Sequence, residues 1–274
     1  VKNFGCYGCH EIHDPAKAPI PPYHPDTPEV RRDWARYADA ITVMDKQVGR
    51  VLKELEEDGL AKNTVVLYFS DHGAGMPRSK RWLYDSSLRV PMIVRFPDGA
   101  KAGTVSARLV SFVDYGPTVL SLAGVKPPAH MQGRPFLGAH EAPPREYVFG
   151  FRDRMDERVD LLRTVRDAKH RYIRNYMPHR PWAQHVSYMY EMPTMKAWQK
   201  AYDAGTLNDV QRRFFEPKPF EELYDSEADP HEIRNLAADP AMAATLDRLR
   251  RALDAWLLEI KDLGFLPEAD LRTR

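Results

Sequence analysis

The chain has 274 residues, 43% of them hydrophobic, with 40 Lys plus Arg against 39 Asp plus Glu. This length and apolar share suffice for a sizeable core, in one large or two small domains, and exclude a disordered chain. Balanced charge gives no argument for nucleic acid or a membrane surface as partner, and no run approaches the roughly 18 apolar residues of a membrane span.

At the start, Cys6-Tyr7-Gly8-Cys9-His10 matches the C-x-x-C-H pattern in which two thiols bond haem and the histidine ligates iron. An electron-transfer module with haem c is therefore one reading. Only five residues precede the motif, and the Pro-rich stretch after it (Pro15, Pro19, Pro21, Pro22, Pro25) is expected to be extended. Residues 1–17 are thus expected to be an N-terminal segment without haem, not an independent domain. They lack the charged-then-apolar layout of a signal peptide.

Thr27 can cap a helix with Pro28 at its first position. Trp34, Tyr37, Ile41, Met44, Val48, Val51 and Leu55 then recur at three- and four-residue steps, and Gly59 supplies the stop. The stripe is expected to face a core. Next, Val65-Val66-Leu67-Tyr68-Phe69 is a continuous apolar run, as suits a central parallel strand buried on both faces. Ser70-Asp71-His72-Gly73 follows directly, with Lys80 eight residues after His72. Ligand residues behind a buried strand fit an open α/β sheet, where sites form at the carboxyl ends of strands. Two metal-ligand types and a nearby cation point to a hydrolase. No residue reads as an activated nucleophile, so the nucleophile is expected outside this sequence.

Pro91-Met92-Ile93-Val94-Arg95-Phe96 reads as another strand, ended by the turn Pro97-Asp98-Gly99. Val110 to Val113 is a third apolar run, and Asp114 to Ala123 reads as a helix, for which Asp114 is a capping residue before it is a ligand. From about Pro143 the texture changes. Tyr147–Phe151, Leu161–Arg166 and Tyr172–Tyr176 are short runs suited to an antiparallel sheet. Between Arg145 and Trp182 there are ten Lys or Arg against six Asp or Glu, a surface an anion could use. Within it, Tyr176-Met177-Pro178-His179-Arg180-Pro181 places His179 on a loop stiffened by two prolines, where it could grip an anionic ligand. Asp239 and Pro240 then open a helix whose face carries Met242, Leu246, Leu249, Leu253, Trp256 and Ile260.

The run Asn63 to Gly73, Lys80, Tyr84, Leu88-Arg89-Val90-Pro91 and Val113-Asp114-Tyr115-Gly116-Pro117-Thr118 together resemble the sulfatase family of the alkaline phosphatase superfamily. Gln132-Gly133-Arg134 and the stretch from Leu223-Tyr224-Asp225 through Asp229-Pro230-His231-Glu232 to Asn235-Leu236 resemble its C-terminal region. Pro21 to Arg31 is similar to a segment of heparan N-sulfatases. The resemblance implies an α/β fold: the remainder of an alkaline-phosphatase-like mixed or parallel sheet flanked by helices, then a smaller C-terminal antiparallel sheet subdomain with a terminal helix. Its boundaries are expected at 18–142 and 143–274, and the chain looks like a C-terminal portion.

It further implies hydrolysis of sulfate esters or N-sulfates of a small molecule or glycan, in the periplasm or outside the cell. Asp71 and His72 are implied as metal ligands, and Lys80 as the lysine that contacts sulfate and leaving-group oxygens. The family holds a divalent cation, usually Ca²⁺, and a formylglycine made from a Cys/Ser-x-Pro-x-Arg motif. No such motif occurs in the 274 residues. Imidazole suits Zn²⁺, Mn²⁺ or Fe better than Ca²⁺, so a transition metal stays open. So does a phosphodiesterase or phosphonate hydrolase of the same superfamily, where Asp-His pairs also occur.

Overall fold

A computed structural model describes residues 12–271, so the Cys6, Cys9 and His10 motif lies outside the described residues. In chain order the helices are α1 (Pro28–Glu57), α2 (Asp85–Leu88), α3 (Tyr115–Leu122), α4 (Pro193–Asp203), α5 (Asp209–Arg212), α6 (Ala243–Glu259) and α7 (Glu268–Leu271). The strands are β1 (Val66–Phe69), β2 (Met92–Arg95), β3 (Val148–Arg152), β4 (Leu162–Arg166), β5 (His170–Asn175) and β6 (Glu221–Asp225). They fall into two compact units that interleave along the chain. One contains the chain up to Thr104 with Arg154–Asp160 and Met177–Lys218; the other contains Val105–Asp153, Leu161–Tyr176 and the chain from Pro219.

In the first unit, α1 begins as its sequence dictates. The Thr27 hydroxyl accepts from Val30 N at 3.4 Å, with Pro28 in the first turn where its missing N–H costs nothing. It ends where Gly59 takes a left-handed φ of 70°. Buried Asp33 of α1 in turn caps α4, accepting from Thr194 N at 2.8 Å and Thr194 Oγ1 at 2.7 Å. Trp198 of α4 stacks on Phe214 at 4.5 Å and donates its indole N–H to Gln211 O.

Strands β1 and β2 pair antiparallel, Tyr68 opposite Ile93 and Phe69 opposite Met92. The expectation of a strand buried on both faces is corrected here: Phe69 is 44% exposed and Ile93 62%. Among the described residues β1 pairs with β2 alone, and antiparallel, so the two-stranded sheet leaves part of both strands uncovered although Tyr68 Oη reaches Met44 Sδ of α1 at 3.4 Å. The α1 stripe differs for the same reason. Val30 and Ala35 are buried, whereas Tyr37, Ile41, Met44 and Val51 lie exposed.

The second unit is built on the four-stranded antiparallel sheet β3-β4-β5-β6. Helix α6 covers it: Leu246, Leu249 and Leu253 close a core with Val165, Tyr172 and Leu223, and Trp256 stacks on Phe149 at 4.7 Å. The Val110–Val113 run forms no strand. Its end folds into the 3-10 turn Phe112–Asp114, because the Asp114 carboxylate turns back to accept from Ser111 N at 2.9 Å. Asp114 is also paired with Arg145 and accepts from Arg134 N at 2.7 Å, so it holds its own loop together instead of capping α3 by its side chain.

The fourth strand is the Leu223-Tyr224-Asp225 segment. Leu236 N donates to Leu223 O at 2.7 Å, Asn235 Oδ1 accepts from Leu223 N at 2.9 Å, and Asn235 Nδ2 donates to Glu221 O at 3.0 Å. Between these, buried Glu232 accepts from Arg171 Nε at 2.9 Å and from Ser226 Oγ at 3.0 Å. The C-terminal signature is therefore a clasp around an edge strand. Removing one partner of a buried ion pair strands the other, so Glu232→Ala is expected to destabilise the protein by about 3–5 kcal/mol, read by urea unfolding.

Candidate active site

Ser70-Asp71-His72-Gly73 leaves the end of β1 in a turn pinned from two sides. Ser70 N donates to Pro91 O at 3.3 Å, Ser70 Oγ donates to His72 O at 2.6 Å, and Gly73 N donates to Ser87 O at 2.9 Å. Glycine is required at 73 by close approach: a Cβ there would lie 1.9 Å from the Ser86 carbonyl oxygen. The turn sets Asp71 Oδ1 3.6 Å from His72 Nε2. His72 Nδ1 lies 2.7 Å from the Gly73 carbonyl, which can only accept, so the proton sits on Nδ1 and the Nε2 lone pair is left for another partner. Two donors each roughly 2–2.5 Å from one ion lie about 3–4 Å apart, and this pair fits that spacing. Asp71 is exposed, and no third His, Cys, Asp or Glu joins it among the described residues.

Lys80 sits in the loop between Gly73 and α2, with its N–H on Ala74 O at 3.1 Å and its ammonium 5.7 Å from the Tyr188 ring. The residues on either side of Ser79-Lys80 are Arg78 and Arg81, both buried, both with left-handed φ, 66° and 89°. A side chain in that region strains the backbone, and such strain persists only where the surroundings overdetermine it. Here they do. The Arg78 guanidinium carbon lies 4.3 Å from the Tyr23 ring and 3.9 Å from the Tyr84 ring, while that of Arg81 lies 3.8 Å from Tyr188, with Nη2 3.1 Å from Asp156.

Under this loop lies His24, fully enclosed. Trp34 Nε1 donates to His24 Nδ1 at 3.1 Å, so the imidazole proton is on Nε2, which donates to Pro77 O at 3.0 Å. Burial pulls its pKa down to about 3, with the Arg78 charge acting in the same direction. His24 is therefore neutral. Neither it nor the two clamped arginines was singled out from the sequence, although Tyr23 and His24 belong to the Pro-rich segment that resembles heparan N-sulfatases.

His179 is exposed at the tip of a loop whose rigidity comes from beneath. Lys218 N donates to Pro178 O at 2.8 Å, and Lys218 Nζ donates to Arg180 O at 2.8 Å and to buried Asp160 at 2.8 and 3.0 Å. Arg180 is spent on Val159 O at 2.6 Å. Asp71, His72, Lys80 and His179 all belong to the first unit. Only Asp71 and His72 are in direct contact. In the second unit a cleft of about 470 Å³ is lined by Arg108, Arg145, Lys169 and Arg248, each already paired with a carboxylate.

Against known proteins, a family model described as Sulfatase matches residues 5–125, and one described as N-sulphoglucosamine sulphohydrolase, C-terminal, matches residues 76–185. An ulvan-active sulfatase of Formosa agariphila is 42% identical over 98% of this chain and 47% of its own length. The chain belongs to the sulfatase family. A human N-sulphoglucosamine sulphohydrolase is 32% identical over 92% of this sulfatase chain and 53% of its own length. A solved structure in complex with its substrate D-glucosamine-2-N,6-O-disulfate superposes with a TM-score of 0.64 at 23% identity, over 89% of this chain and 45% of that one, and shows the shared fold. The sulfatase chain thus spans about half the length of the curated relatives it matches. In the family, a metal ion and a formylglycine are in general use.

The buried imidazole gives the sulfatase loop a pH dependence. An unfolded histidine takes up its proton near pH 6.5, the folded one only near 3, so folding stability falls as pH drops below about 6.5. The stability difference between the wild type and His24→Asn, from urea unfolding, is expected to shrink by roughly 1.4 kcal/mol per pH unit between pH 6 and 4. A difference independent of pH would mean that His24 protonates without opening the loop.

Proposed function

We propose that this chain supplies one side of a sulfatase active site, within a longer polypeptide that hydrolyses sulfate esters or N-sulfates of glycans. The observation that carries this reading is the pair Asp71 and His72, 3.6 Å apart at the end of β1, followed by Lys80 on a clamped loop. Residues 18–142 would belong to the catalytic domain and 143–274 to the C-terminal subdomain. A carboxylate oxygen of Asp71 and Nε2 of His72 would hold a divalent cation, Ca²⁺ or a transition metal, which when bound offsets negative charge on a sulfate oxygen.

The chain's own contribution centres on Lys80. As a sulfate ester or sulfamate cleaves, negative charge grows on the departing oxygen or nitrogen, and an ammonium fixed beside that atom stabilises the transition state more than the ground state. Lysine suits this because its charge is compact and carries three donors. The nucleophile would be a formylglycine outside this sequence, since no Cys/Ser-x-Pro-x-Arg motif is present. For the substrate, the names of the relatives point to sulfated polysaccharide or N-sulfated glucosamine. Periplasmic or extracellular placement follows from the same kinship.

In protein expressed from the complete coding sequence, Lys80→Ala is expected to lower kcat on an aryl sulfate or a sulfated glucosamine by about 10²–10³, with metal content unchanged. Near-normal turnover would remove Lys80 from the reaction. His179→Ala is expected to raise KM for a sulfated saccharide about tenfold while leaving KM for a small aryl sulfate unaltered, as the loss of one hydrogen bond to the sugar predicts.

A further inference from the structure

We propose that Arg81 is a positioning residue for Lys80: it occupies the face of Tyr188 and thereby keeps the lysine ammonium off that ring and available to the reacting groups. The inference rests on the role given to Lys80 above. Both cations address one aromatic ring. The Arg81 guanidinium carbon lies over the ring, 3.8 Å from the Tyr188 centroid, whereas Lys80 Nζ is held at 5.7 Å, the outer limit of an effective cation–π contact. A ring face already covered by one cation repels a second, and the repulsion is strong where water is excluded.

Three features keep Arg81 in place. Its backbone is held at a left-handed φ of 89°, a conformation a side-chain-bearing residue keeps only where its surroundings fix it. Its guanidinium is buried, and Nη2 is tethered to Asp156 at 3.1 Å. On the other side, Arg78 repeats the device with φ 66° and a guanidinium between the Tyr23 and Tyr84 rings, so the Ser79-Lys80 pair is suspended between two anchored arginines. The strain of two left-handed non-glycine residues would relax if the anchors were only decorative. With Arg81 gone, the Tyr188 face is open to a flexible lysine stem that ends close to it, and the ammonium gains more by settling there than by standing in solvent.

The test uses protein from the complete coding sequence, a small aryl sulfate as probe, and Lys80→Ala in the same assay. Arg81→Gly removes the guanidinium while glycine accepts the positive φ without strain. Its kcat is expected to fall about tenfold with KM held within about twofold, as displacement of one catalytic group by an ångström or more predicts. Adding Tyr188→Leu to Arg81→Gly takes away the competing face and is expected to restore most of the lost kcat, a rescue that a merely structural role for Arg81 would not produce. Wild-type kcat in Arg81→Gly, or a double variant no better than the single one, overturns the proposal. Should Arg81→Gly fail to fold, Asp156→Asn, a change at an exposed carboxylate, carries the same test. It is expected to lower kcat without moving KM, and wild-type kcat there counts against the proposal. If Lys80→Ala keeps normal turnover, it is the reading of the active site that fails; if Lys80→Ala is inactive and Arg81→Gly is not impaired, only the positioning fails.

Discussion

An imidazole that stays neutral holds the candidate site together. His24 takes the Trp34 indole proton on one nitrogen and gives its own to the Pro77 carbonyl on the other, while its ring meets Tyr23 and Trp198 edge to face at 4.8 Å. Four segments converge on this side chain: the Pro-rich entry, the start of α1, the loop that carries Lys80, and α4. A charged imidazole could not serve, since it would carry two protons and face the Trp34 N–H donor-to-donor, next to the Arg78 cation. The low pKa and the hydrogen-bond pattern are two consequences of one enclosure.

The same economy recurs where charge is buried. Lys218 and Asp160, both enclosed, fix the loop that presents His179. Arg163, with no exposed surface, is gripped by Asp262 and Asp153, and Arg171 by Glu232. Buried pairs of this kind repay desolvation only when their geometry is good, and they discriminate strongly against misplacement. Lys218 and Asp160 sit beneath a loop, whereas Arg163 and Arg171 stand on the two inner strands, β4 and β5, and tie them to the loops that carry their partners. In the Lys80 loop, the aromatic rings of Tyr23, Tyr84 and Tyr188 take over that role for two arginines.

The two signature stretches of the family thus divide their labour. Asp71, His72 and Gly73 form the tight turn at the end of β1: the first two side chains stand 3.6 Å apart, and the third is glycine because the Ser86 carbonyl would occupy the space of any side chain. Leu223 to Asp225 and Asp229 to Leu236 make a β-strand and the loop that staples it. That second stretch was read from the sequence as a mark of kinship, and its mechanical purpose became visible only from the pairing of β6 with β5.

Signals confined to a few neighbouring residues were legible without coordinates. Thr27 and Pro28 open α1, Gly59 closes it, Asp239 and Pro240 begin the turn that leads into α6, and the short runs at 147–176 form an antiparallel sheet, because caps, turns and strand periodicity act within one or two turns of backbone. The closeness of Asp71 and His72 behind β1 was legible for the same reason, since the two are adjacent in the chain. Properties that depend on partners distant in sequence were not. The exposure of the α1 stripe and of β1 depends on which surfaces are present to cover them. The fourth strand arises from a pairing with β5 some fifty residues away. The left-handed arginines exist because rings from residues 23, 84 and 188 meet around them. Local rules bias a backbone by about a kilocalorie per residue, and long-range packing of aromatic and charged groups overrides that bias where it can supply more.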